Sequence, residues 1–402
     1  MNPQISITSL ERSKHRQQVF DLTAKVFSPG HGYWGWIDYC REGYIDHCSF
    51  DWAATKAGFI DGEMVTHFGI WEYQTRVGSA SLKTAGVGAV ATHGEFRKYG
   101  LMSQTARACI ADLASLDYDV TTLFGIPNYY HKFGYVRAWP ETTFTTWLDQ
   151  FPTEAPEKPL RKLPVKQTQD LIDLANRHNA GLAGSAVRPM YLRNRKPAKW
   201  SGFYWADSRG KAKGFIVGMK KDRNTMDIVD HAGETPAVMQ AIGWLARKWG
   251  CDTIRLPELH EACDLARTLR RGNCNVEKGY SRSGRAMIHT VNLRSCLSKL
   301  QDELSRRLRD SYLADWKGQL LIADLREKVV LDIAKGKVVV GKAANSKNAI
   351  RGGEEIAQFL IGTDAPPEIV ATYGTKFSGD AAELAGILFP AQSPMLGVWD
   401  HF

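Results

Sequence analysis

The stretch Val87–Gln104, VGAVATHGEFRKYGLMSQ, constrains the fold more than any other part of the chain. Small and β-branched residues run to Thr92, a polar loop follows, and Gly100 opens onto a helical stripe of Leu101, Ile110, Leu113 and Leu116. A strand that feeds a helix through a short loop needs a layered sheet-and-helix fold. The unpaired N–H groups of a first helical turn carry the positive end of the helix dipole, so they accept a phosphate or pyrophosphate. Gly100 lets the backbone approach the anion without a Cβ, while Arg97 and Lys98 add charge. Taken alone, the same residues also fit a surface loop whose glycine serves the turn.

The organisation around this stretch predicts a mixed α/β chain with α+β sheets in two or three units, as 402 residues allow. Residues 1–148 read as one unit. They hold a helix from Arg12 to Phe27, an aromatic segment with Tyr33, Trp34, Trp36 and Tyr39, and extended runs at 56–60 and 64–73 split by Asp61-Gly62. Strands at Leu82–Thr92 and Val120–Phe124 flank a helix from Gly100 to Leu116. Residues 149–165 contain four prolines without apolar period and read as a linker or surface crossover. Hairpin, helix and strand then recur over 166–293. Strands at 203–206, 214–219 and 226–229 precede a helix that starts at Thr235 as N-cap with Pro236 and ends at Trp249, and a strand at 253–256 follows. From 294 to 402 the style changes to a charged helix, short strands near 319–324, 328–334 and 337–341, and helices at 353–360 and 380–388.

Composition sets bounds on function. With 44% hydrophobic and 24% charged residues the chain is an ordinary globular one, and no apolar run is long enough to span a membrane. The first residues have no apolar core of the secretory kind. Seven scattered cysteines without C-x-x-C spacing read as reduced cytosolic thiols, not as disulfides or zinc ligands. The net charge of +9 is dispersed, and no basic–aromatic stripe points to nucleic acid.

A second stretch, Leu123–Tyr135, reads LFGIPNYYHKFGY. Together the two resemble the GCN5-related N-acetyltransferase superfamily. Its pyrophosphate loop has the form R/Q-x-x-G-x-G/A, and its later F/Y-Y-x-x-F-G-F/Y segment supplies a tyrosine near the cofactor sulfur. Arg97 and Gly100 fit the loop, with Met102 where glycine or alanine is usual, and Tyr129 to Tyr135 fit the second segment throughout. The whole chain is similar to the Eis ("enhanced intracellular survival") family of bacterial acetyltransferases: a catalytic domain, a degenerate second copy and a C-terminal sterol-carrier-like domain ending in phenylalanine. In the second copy Arg247-Lys248-Trp249-Gly250 has the R-x-x-G spacing, but it ends a helix, where Gly250 reads as a cap. No tyrosine segment follows it, so this copy is expected to bind no cofactor.

The resemblance implies acetyl-CoA as co-substrate, with no metal, and transfer to a small-molecule or peptide amine in a cytoplasmic homo-oligomer, a hexamer as in Eis-like proteins. Cofactor-binding residues would be Val90, Ala91 and Thr92 on the strand, then Arg97, Lys98, Tyr99, Gly100, Leu101, Met102 and Ser103 at the turn, with Gly125 and Ile126 beyond. Tyr130 would be the acid that protonates the leaving thiolate, since a phenol of pKa ~10 stays protonated at neutral pH; its other reading is a core aromatic beside Phe133 and Tyr135. In the Eis family the C-terminal carboxylate acts as base, which here is Phe402, with Asp400, His401 and His131 as alternatives. The aromatic cluster Tyr33, Trp34, Trp36 and Tyr39 suits either a cation-holding acceptor wall or a hydrophobic anchor. A non-enzymatic reading also stands: a carrier or sensor with an apolar ligand in the C-terminal domain and a vestigial acetyltransferase site.

Overall fold

A computed structural model describes residues 4–28, 32–46, 49–164, 168–188, 200–343 and 345–402. The chain begins with β1 (Ser6–Ser9), α1 (Arg12–Phe27) and α2 (Tyr33–Arg41), then enters the strands β2 (Lys56–Ile60), β3 (Glu63–Val77) and β4 (Ala80–Thr92). Asp61 and Gly62, both with positive φ (49° and 83°), close the β2–β3 hairpin in the two-residue turn their sequence predicts. Next come α3 (Leu101–Leu113), β5 (Val120–Gly125) and β6 (Val136–Arg137). The predicted helix to Leu116 ends at Leu113, and a separate tight turn spans Ala114–Leu116.

Strand β7 (Glu141–Trp147) leads to β8 (Arg161–Lys162), α4 (Gln169–His178), β9 (Ala186–Val187) and the three-stranded run β10 (Trp200–Ala206), β11 (Ala212–Lys220) and β12 (Thr225–Gly233). Helix α5 (Thr235–Trp249) connects to β13 (Thr253–Pro257), α6 (Asp264–Arg271), β14 (Cys274–Gly279) and β15 (Arg285–Thr290). The N-cap of α5 is Glu234, one residue before the predicted Thr235, because Thr235 already has helical backbone ahead of Pro236. Gly250 closes the helix at φ 66°, the left-handed cap expected of it. The last third is α7 (Leu293–Arg309), β16 (Gly318–Ala323), β17 (Lys328–Ala334), β18 (Lys337–Val340), β19 (Asn348–Arg351), α8 (Ile356–Ile361), α9 (Pro366–Tyr373), β20 (Lys376–Ser378) and α10 (Ala381–Leu388).

Three mixed sheets result, with orders β1-β2-β3-β4-β5-β15-β6 (β9 pairing β3), β14-β7-β13-β12-β11-β10-β8 and β18-β17-β16-β19-β20. The first two exchange strands across the proline-rich segment. Glu141–Trp147 pairs with β13 and β14, while Arg285–Thr290 returns to cover β5 from Gly125 to Val120. The returning strand hides the edge that β5 would otherwise expose. The proline-rich segment also contributes Arg161–Lys162 as an edge partner of β10.

Helix α7 joins the first sheet to the third. Asn292 caps it, accepting from the Ser295 N–H at 2.8 Å. Its stripe of Leu297, Leu300, Leu304 and Leu308 packs at once with Val77, Leu82 and Val120 of the first sheet and Leu320, Ile322 and Leu331 of the third, in one continuous core. Among the described residues no helix is long and apolar enough to cross a membrane.

Candidate active site

Strands β4 and β5 run parallel and pair only from Thr84↔Val120 to Val87↔Leu123. Strand β4 continues to Thr92 along β3, so beyond Val87 the two part, and no strand among the described residues covers that edge of β4. An uncovered edge presents N–H and C=O groups to any extended amide chain laid beside it. Val90, Ala91 and Thr92 lie on this stretch.

A bulge sits where the strands part. The β3–β4 register slips between His67 and Gly69, and Ala89 takes φ 47°, a conformation L-residues rarely adopt. His67, fully buried, donates from Nδ1 to the Ala89 carbonyl at 2.8 Å. Burial lowers the His67 pKa to about 4, against the hydrogen bond to Ala89, so the ring is neutral at physiological pH. The imidazole thus holds the bulge carbonyl away from the gap.

The gap leads to the start of α3. Gly100 is its N-cap at φ 75°, no side chain caps the turn, and the first intrahelical bond is Gln104 N–H to Gly100 O at 3.3 Å. The N–H groups of Leu101, Met102 and Ser103 therefore face outward. Arg97, Lys98 and Tyr99 are exposed on the loop before it. Leu101 and Met102 are buried, Met102 beside Ala106 and Cys109, so the larger side chain at this position fills core and not the loop. Burial raises the Tyr129 phenol despite a hydrogen bond with Ser103, which joins the first turn of α3 to the tyrosine segment.

That segment leaves β5 through Gly125, exposed Ile126 and Asn128, whose N–H donates to the Ser283 carbonyl at 2.9 Å. Tyr130 begins a tight helical turn, Tyr130–Phe133, with its ring over Gly125, where a Cβ would stand 2.5 Å from it. Tyr129 and Tyr135 flank the ring edge-on at 5.1 and 6.2 Å. Burial, with Tyr129 nearby, pushes the Tyr130 phenol well above its usual value. Tyr135 is fixed by its hydroxyl to Thr121 Oγ1 at 2.9 Å. His131 is exposed on the same turn.

The chain end comes back to this point. The Phe402 ring lies 5.1 Å from Tyr73, 5.6 Å from Phe124 and 6.5 Å from Trp71, above Gly86, where a Cβ would approach it to 2.9 Å. It is thus seated on β3, β4 and β5 one residue before β4 and β5 part. The segment behind it is anchored at each step. Met395 N–H donates to Ala183 O at 2.9 Å, and Trp399 faces Trp200 at 5.0 Å. Asp400 accepts two hydrogen bonds from Arg188, 2.8 and 3.0 Å, and Arg188 also reaches Asp230 at 2.8 Å. These three side chains are nearly sealed from solvent, and burial together with the Asp400 charge raises the Asp230 carboxyl against the pull of Arg188. His401 stacks on Phe124 at 4.0 Å, and its Nε2 donates to the Leu396 carbonyl at 3.3 Å with a Glu258 carboxylate oxygen 2.6 Å away. Asp400 and His401 are thereby engaged with other side chains.

The aromatic segment of α2 is mostly anchored. Tyr33 donates to Asp21 at 2.6 Å and Trp36 to Thr23 at 3.0 Å, while Trp34 alone is largely exposed at 72%. Its inner face continues as a series of rings, Tyr39 stacked on Tyr44 at 4.9 Å and Tyr44 tilted against Trp71 at 4.9 Å, up to Phe402. Sequence reasoning missed His67, Arg188, Asp230 and Glu258, none of which lies in a motif. Among the described residues no group of three or more His, Cys, Asp or Glu could hold a metal, and six cysteines are free thiols. Cys48 lies outside the described residues.

Comparison with known proteins adds two findings. The family model described as an acetyltransferase (GNAT) domain matches residues 10–138. Among solved structures, a GCN5-related N-acetyltransferase from Anabaena variabilis ATCC 29413 is 17% identical with a TM-score of 0.76, covering 99% of this chain and 100% of its own. A conserved protein of unknown function from Enterococcus faecalis V583, titled a probable N-acyltransferase, is 16% identical at 0.76 over 99% and 100%. Eis1 from Mycobacterium abscessus is 15% identical at 0.67 over the same shares. No curated protein matches the chain. The mixed α/β, multi-sheet architecture is therefore shared along the whole chain with these acetyltransferase-type structures.

Proposed function

We propose that the chain is an Eis-like, acetyl-CoA-dependent N-acetyltransferase that passes acetyl directly to a primary amine. One observation carries the reading: a bulged β4 edge that parts from β5 meets an uncapped helix start on one side and Tyr130 on the other, with the chain end seated at the fork. The edge at Val90–Thr92 pairs with the amides of the pantetheine arm. The turn from Arg97 to Ser103 receives the pyrophosphate on its N–H groups, with Gly125 and Ile126 at the far side.

The amine must lose a proton before attack, because an ammonium of pKa ~10.4 is only about one part in a thousand neutral at pH 7. The Phe402 carboxylate accepts that proton, directly or through water. The new N–C bond forms as the C–S bond breaks, backbone N–H groups at the β4 bulge steady the carbonyl oxygen as it gains charge, and the Tyr130 hydroxyl gives its proton to the departing thiolate. Burial suits Tyr130 to this, since it keeps the phenol protonated at any working pH. The aromatic wall from Tyr39 through Tyr44 to Trp71 favours a cationic acceptor such as an aminoglycoside, a polyamine or a lysine side chain.

In this reading residues 1–148 form the catalytic unit, 166–293 a degenerate copy that shapes the cleft, the two exchanging β7 for β15 and β9 between their sheets, and 294–402 a sterol-carrier-like unit that delivers the terminus. The working enzyme is a cytoplasmic homo-oligomer of the hexameric Eis kind, with no metal. The test is Tyr130→Phe assayed for free thiol with acetyl-CoA and a panel of such amines. Turnover by the native chain, and its loss by about a hundredfold or more with coenzyme A binding retained, is the expected result. No turnover with any amine would favour the carrier reading.

A further inference from the structure

The second sheet carries a cavity of about 600 Å³ that shares no residue with the site above. Its walls are the proline-rich segment, the C-terminal half of α4, the start of β11 and the first turn of α5. A volume of this order is that of a small-molecule site. The floor is apolar, built from Leu160, Leu174, Trp205 and Ala237. Trp205 can lie there only because β11 has glycine beneath it. A Cβ at Gly214 would meet the indole at 1.9 Å, and one at Gly233 at 3.2 Å.

The rim is charged and unbalanced. Lys158, Arg177, Lys211 and Lys213 face Glu157 and Glu234. Lys213 is paired with Asp207 at 3.4 Å, whereas no ion pair engages Lys158, Arg177 or Lys211 among the described residues. The rim residues Arg177 and Lys211 are exposed, so each can turn toward a guest without breaking an existing contact. An apolar floor under a cationic rim matches one kind of guest: an organic anion with an apolar body, its head among the cations and its body on Trp205.

We propose that this cavity is a second ligand site, for a small amphiphilic carboxylate, separate from the acetyl-transfer cleft. The experiment is calorimetry on the full chain with decanoate, and with decyltrimethylammonium as the cation of matching body, below micelle-forming concentrations. Decanoate should bind while the cation does not, and Arg177→Glu and Lys158→Glu should each weaken decanoate by about tenfold or more. Both are rim substitutions, so unchanged thermal unfolding confirms that the fold is intact. Trp205→Phe should weaken decanoate as well without restoring the cation. Absence of decanoate binding, equal binding of the two ions, or indifference to both charge reversals overturns the proposal.

Discussion

His67 shows how one residue can set the geometry of a site it never touches. Its ring is fully buried, its Nδ1 is spent on the Ala89 carbonyl, and its pKa is lowered to about 4. In the unfolded chain an imidazole titrates near ~6.5. Between these values the unfolded state binds the extra proton, so the stability due to neutral His67 is present in full above pH ~6.5 and is lost as pH falls to about 4. The span corresponds to about 3 kcal/mol. His67→Gln cannot titrate there, so its denaturant-unfolding free energy should fall less steeply than that of the native chain over this range. Parallel curves would mean that His67 does not govern the acid limb. Nothing in the sequence pointed to this residue. It sits mid-strand in an apolar run, and its role exists only because the bulge at Ala89 turns a carbonyl toward it. The turn that carries Tyr130 was legible by contrast, because Tyr129, Phe133, Gly134 and Tyr135 form a local pattern.

At the scale of elements, what could be read was what is local. The β4–loop–α3 passage, the Asp61-Gly62 hairpin and the Gly250 cap all depend on residues within a few positions of one another, and the structure has each of them. Helix α9 went unread because it opens on Pro366-Pro367, which looks like a break until its place at a first helical turn is known. Strand β14 went unread because its side chains are largely exposed and give no alternation to see. The exchange of β7 and β15 between sheets joins residues more than a hundred positions apart, and no local pattern encodes that pairing. The α3 start carries its own prediction. Arg97→Glu with Lys98→Glu adds repulsion where an anion would sit, on side chains that are exposed. Coenzyme A should bind about tenfold weaker or worse, more so at low salt, with thermal unfolding unchanged. Unaltered affinity by calorimetry would show that the turn is not the anion site.

Polar side chains tie distant parts of the molecule together at two points. One is Glu303 on α7, which accepts from the Ser79 N–H and hydroxyl at 3.1 and 2.8 Å in the β3–β4 turn and pairs with Arg306 and Arg307. Burial alone would raise its carboxyl, but the hydrogen bonds from Arg306, Ser79 and Arg307 outweigh that and hold it at about 2. Its contribution is present above pH ~4.5 and lost as pH falls toward 2. Glu303→Gln leaves buried Arg307 without its carboxylate and should lower stability by about 3 kcal/mol in denaturant unfolding at pH 7. A change within a few tenths would show that α7 is held by its leucine stripe alone.

The other tie is the tail. Arg188 grips Asp400 in a buried, two-bond pair, and Asp400 stands two residues before Phe402, so the ion pair and the ring contacts of Phe402 together hold the tail in place for the carboxylate role proposed above. Asp400→Asn weakens the grip while Arg188 keeps Asp230, which limits the loss of stability. If the carboxylate is the base, this variant should lose kcat with coenzyme A binding preserved, and so should a chain extended by a short Gly-Ser tail after Phe402. The two changes displace the same group, so combining them should be little worse than the more severe one alone, whereas independent effects would multiply. Steady-state kinetics on the four chains decides it. Full rate in the extended chain removes the terminus from the mechanism, and multiplied losses would mean that Asp400 acts on the reaction by a route other than the tail.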